Sequence, residues 1–68
     1  MEFLFVVYLL INDVWVRGDE VQGYGSIVYE SEAKCLEVKQ RAEALQVELK
    51  KKNPNAYDKR FECESKPN

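Results

Sequence analysis

Two cysteines, Cys35 and Cys63, are the side chains of this sequence with the clearest capacity for chemistry, and no histidine accompanies them. Without imidazole there is no Ser/His or Cys/His nucleophilic pair, and the commonest transition-metal ligand is missing. Two thiolates alone do not close a tetrahedral zinc site, so no metal or cofactor is expected and the chain reads as non-enzymatic. The thiols leave three readings open. They pack as small buried hydrophobes in a reducing compartment, form a structural disulfide, or act as a thiol redox pair in which Cys35 attacks and Cys63 resolves. The last lacks a C-x-x-C motif and a neighbouring base. A disulfide would close a loop of nearly thirty residues, and small domains gain most from such a staple.

Other chemistry-bearing groups point less far. Asp19 with Glu20 and Glu62 with Glu64 are paired carboxylates in settings expected to be solvated, with ordinary proton affinities. Arg17-Gly18-Asp19 spells an adhesion tripeptide, but Gly-Asp is ordinary turn chemistry. Gly23-Tyr24-Gly25 is a lone G-x-G without the strand-to-helix setting of a phosphate loop.

The elements that must position the two cysteines follow from pattern. Phe3 to Ile11 is continuously apolar and rich in β-branched and aromatic residues, as expected of a strand covered on both faces. Asn12-Asp13 tolerates positive φ and predicts a tight hairpin into Val14-Trp15-Val16-Arg17, with Ile11 opposite Val14 and Tyr8 opposite Arg17. Gly18 to Gly25 reads as a loop or an irregular extension of the hairpin, followed by a short strand over Ser26 to Tyr29. Ser31 is an N-cap for a helix from Glu32 to Lys52, which Asn53-Pro54 terminates. Along it Cys35, Val38, Ala42, Leu45 and Leu49 recur at helical spacing and mark the face turned to the sheet. Glu37 with Arg41 and Glu48 with Lys52 form pairs on the solvent side. Arg60 to Glu64 alternates charged and apolar residues, the mark of a half-exposed edge strand with Phe61 and Cys63 inward.

This order predicts one α+β domain over residues 1–68: a small antiparallel sheet, its first strand central, with one amphipathic helix on one face. Cys35 and Cys63 both fall on the helix–sheet interface. At 68 residues a second core has no room. With 46% hydrophobic and 32% charged residues the composition is globular. A net charge of −2 and a pI near 5.1 argue against nucleic acid as a partner. Lys50-Lys51-Lys52 falls at the helix end, where cations complement the dipole. Nine apolar residues are too few for a membrane span, and Glu2 with Asn12-Asp13 fits a signal peptide poorly, so a cytoplasmic location is expected.

One helix covers one side of such a sheet. The other side would present Leu4, Val6, Tyr8, Leu10 and Trp15, and burying those five is worth on the order of 10 kcal/mol before association costs. The expectation is therefore an interaction module that uses this outer face to bind a second copy, as a homodimer, or another protein, with Trp15 as anchor. Cover by the Gly18 to Gly25 loop with Tyr24 or Tyr29, and a small ligand held between sheet and loop, are the alternatives.

Overall fold

The computed structural model describes residues 1–21 and 25–66. Gln22, Gly23 and Tyr24 lie outside the described residues, and with them the G-x-G and the Tyr24 cover considered above. The fold is α+β: β1 (Glu2–Ile11), β2 (Val14–Arg17), β3 (Ile27–Tyr29), helix α1 (Glu32–Lys52) and β4 (Lys59–Lys66), with one 3-10 turn at Gly18–Glu20.

β1 is central, as its unbroken apolar run requires. β4 pairs antiparallel along nearly all of one edge, from Glu2 opposite Lys66 to Leu9 opposite Lys59. The other edge is shared end to end, with β2 beside Tyr8 to Ile11 and β3 beside Phe3 to Phe5. The hairpin register is the expected one, and Asn12 and Asp13 both adopt positive φ, 51° and 66°. Two left-handed residues in a two-residue loop match the twist of the flanking strands.

The helix begins and ends where its signals place it. Ser31 accepts a hydrogen bond from the Lys34 amide, Glu32 occupies the first turn, and Lys50, Lys51 and Lys52 occupy the last. Glu37 pairs with Arg41, while Glu48 reaches Lys51 at 3.6 Å instead of Lys52.

The core lies between α1 and the sheet. Phe5, Cys35 and Phe61 are buried together, and Phe3, Val7, Tyr29, Val38, Ala42 and Cys63 pack against them. The Phe5 and Phe61 rings stack with centroids 5.9 Å apart. Cys35 and Cys63 stand at disulfide-bonding distance, their Cα atoms 6.1 Å apart, a separation a native bridge adopts readily. The pair sets the first turn of α1 beside the middle of β4.

The last two positions of the expected helix stripe behave differently. Leu45 is 71% exposed and Leu49 is also exposed. The helix rests on β4 and β1, the strands to which its N-terminal half is fastened, and makes its lesser contacts with β3. Between its C-terminal half and the sheet lies an open apolar groove of about 310 Å³, lined by Val7, Ala42, Leu45, Leu49 and Phe61 among others.

Candidate functional site

The face turned away from the helix is built by alternation. On β1 it carries Leu4, Val6, Tyr8 and Leu10; β2 adds Trp15 and Arg17, and β3 adds Val28. β4 contributes Arg60 opposite Tyr8, Glu62 opposite Val6 and Glu64 opposite Leu4. The five expected interface residues therefore do share one surface, but four charged side chains, Arg17, Arg60, Glu62 and Glu64, stand among them.

Their exposure reflects that company. Val6 is fully buried, Leu4, Tyr8 and Leu10 are half-buried, and Trp15 remains 41% exposed. Long charged side chains cover apolar neighbours with their stems while their heads stay in water. The 3-10 turn also packs against β1, and Gly18 is buried.

A polar network crosses the middle of this face. The Tyr8 hydroxyl donates to Glu64 Oε2, and Arg17 Nη1 donates to Glu64 Oε1 at 3.1 Å and to the Tyr8 oxygen at 3.4 Å. Arg17 Nη2 reaches Asp19 Oδ2 at 3.0 Å, and the Ser26 hydroxyl donates to the other oxygen of Asp19. Arg17 thus holds two carboxylates drawn from separate segments.

Proton affinities follow from these partners. The Tyr8 hydroxyl, and after it Arg17, holds the Glu64 carboxyl below the usual range against the opposing effect of burial. Asp19 is lowered by the Ser26 hydroxyl first and by Arg17 second. Its bond to Glu64 raises the Tyr8 phenol, and burial adds to the rise. Arg17 is raised by Asp19 and Glu64 and stays charged at any accessible pH.

Beside the network lies an aromatic cluster. The Arg60 guanidinium sits 4.6 Å from the Tyr8 ring centre and 5.1 Å from that of Trp15, and Arg17 approaches the Tyr8 ring to 5.8 Å. Each such stack is worth about 0.5–1 kcal/mol at an exposed site. Arg60 also pairs with Glu62 at 3.8 Å.

Sequence reading placed Tyr8, Trp15 and Arg17 on this face but missed Arg60 and Glu64 as parts of the same surface. The signal was present in the alternation of β4, which puts Arg60, Glu62 and Glu64 on the face opposite Phe61 and Cys63. The carboxylate of Glu64, expected to behave ordinarily, is instead a partner in the network. The thiols lie on the far side of the sheet. Cys35 is fully buried and shares its surroundings with Phe5 and Phe61.

Among the described residues no group of three or more His, Cys, Asp or Glu side chains is arranged to hold a metal ion. Among them, too, no helix is long and apolar enough to cross a membrane. The chain matches no family model, no curated protein and no solved structure.

Proposed function

We propose that this chain is a non-enzymatic interaction module that associates through its outer sheet face with a second copy of itself, with Trp15 at the centre of the contact. The observation that carries the reading is the exposed Trp15 ring stacked on Arg60 beside Tyr8. Tryptophan, tyrosine and arginine are the residue types enriched where truncation costs binding most, because each combines a large contact area with a polar handle.

A second copy suits this face because both charge signs stand on it. Arg17 and Arg60 lie on the same surface as Asp19, Glu62 and Glu64. A twofold axis through such a surface brings the bases of one copy to the acids of the other. Leu4, Leu10 and the exposed Val28 supply the apolar area around the anchor.

The test is Trp15→Ala, compared with wild type by light scattering at micromolar concentrations. The expected result is a lower average mass for the variant with its helical circular dichroism unchanged. An unchanged mass would remove Trp15 from any self-association; a wild-type particle of 8.0 kDa would end the reading altogether.

A further inference from the structure

We infer that the apolar groove between the C-terminal half of α1 and the sheet binds a single-chain fatty carboxylate, with the alkyl chain along Leu45 and Leu49 and the carboxylate at Lys52. The floor of the groove is Val7 and Phe61, which stand opposite one another on β1 and β4, and its wall is Ala42, Leu45 and Leu49 of the helix. Leu45 and Leu49 belong to the stripe turned toward the sheet, yet both are exposed. Contact with an alkyl chain removes such apolar surface from water, which is favourable in proportion to the area covered.

The size of the groove selects the chain. Its volume of about 310 Å³ stands at the lower end of the roughly 300–1,000 Å³ of small-molecule sites and suits one chain rather than a two-chain lipid. From Ala42 to Leu49 the helix advances about 10 Å. A zigzag of carbon–carbon bonds of about 1.5 Å advances roughly 1.3 Å per carbon, so a chain of about eight carbons spans that length.

Charge selects the head group. Lys52 lies three residues beyond Leu49 and seven beyond Leu45, which places it on the same flank of the helix. Side chains on a helix lean toward its N-terminus, so Lys52 reaches back toward Leu49. Glu48, the carboxylate that helical spacing offers to Lys52, is instead held by Lys51 at 3.6 Å, and Asp58 is held by Lys50 at 3.0 Å. Among the described residues Lys52 is thus left without an ion partner. Lys59, which lines the groove itself, already has a partner, but an ammonium carries three donors and can take a further acceptor. One ammonium without an ion partner matches a monoanion; a doubly charged phosphate would face Glu48 and the helix carbonyls more strongly. Those terminal carbonyls repel any anion, so a preference for an anionic head has to come from the lysines.

This site lies on the helix side of the sheet and does not rest on association through the Trp15 face. The experiment titrates the wild-type protein, isotope-labelled in its leucine methyl groups, with decanoate below its micelle concentration and with decylammonium, which has the same chain and the opposite charge. Shifts of the Leu45 and Leu49 methyl signals are expected with both, while Trp15 emission stays fixed. Decanoate should saturate at about fivefold lower concentration than decylammonium, the ratio one exposed ion pair can give. Lys52→Gln is expected to remove most of that preference, and Leu45→Gln to weaken both ligands. Both positions are exposed and glutamine is a good helix former, so the fold is kept, which circular dichroism verifies. Absence of saturable decanoate binding, equal affinity for the two ligands, or an unchanged preference in Lys52→Gln overturns the proposal. Shifts of the Leu45 and Leu49 methyls on raising protein concentration alone would assign the groove to a second copy and overturn it as well.

Discussion

Glu64 joins two properties that rarely coincide on an exposed strand: it accepts from a tyrosine and from an arginine brought in by other strands. Because its carboxyl is held below the unfolded value, folding favours the ionised form. That stabilisation is fully present above the unfolded pKa, about 4.3 for glutamate, and is lost as pH falls through the lower folded value. Asp19 behaves in the same direction. Denaturant midpoints of the wild-type protein should therefore be flat from neutral pH to about 5 and decline below it. In Glu64→Gln the decline should be shallower and the neutral-pH midpoint lower. Equal acid sensitivity in the two proteins would show that the network adds nothing to the fold. None of this was legible from Glu64 alone, since its meaning depends on standing in register beside Leu4 and near Tyr8, a tertiary fact.

At the scale of elements, the sequence was most informative where local chemistry and global fold agree. Asn12-Asp13 specified the hairpin and its register, and Ser31 with Asn53-Pro54 bounded the helix. The unbroken run of β1 marked the central strand. The expected strand over Arg60 to Glu64 proved longer, reaching Lys59 and Lys66, because pairing with β1 extends a ladder beyond its clearest alternation. The short β3 was placed but its partner was not foreseen, since three residues carry too little pattern to choose an edge. Leu45 was misplaced because helical periodicity gives the direction of a stripe without saying how far the sheet extends beneath it.

The cysteine pair belongs to this scale as well, because it fastens an element to a strand. Their interfacial placement was readable from periodicity, whereas bridging needed the register of β4 under the helix. With Phe5, Cys35 and Phe61 the buried members of the cluster between α1 and the sheet, a bridge between Cys35 and Cys63 would add a large share of the stability. Cys35→Ser should lower unfolding free energy by about 2–4 kcal/mol in urea titrations, and a reductant should shift the wild type toward the variant without shifting the variant further. If the wild type is insensitive to reductant, the pair packs as thiols. A bridged pair is the state favoured by oxidising compartments, so the cysteine state of the native protein also tests the cytoplasmic location expected from its sequence.

At the scale of the molecule, the sheet is covered unevenly. The helix shields one face over β4 and β1, and the opposite face is covered in part by the protein's own arginines and glutamates. The large apolar patch expected from β1 and β2 is thus smaller than the strand pattern implied, with Val6 removed from it entirely. What remains is an aromatic and cationic cluster, better suited to a specific contact than to indiscriminate adhesion. Trp15 is the sole tryptophan of the chain, so its fluorescence reports on that contact without a label. Its emission should shift to shorter wavelength as protein concentration is raised through the range in which the mass increases, because the ring passes from water into an interface. Emission that stays fixed while the mass rises, or a mass that never rises, would contradict association through the outer face.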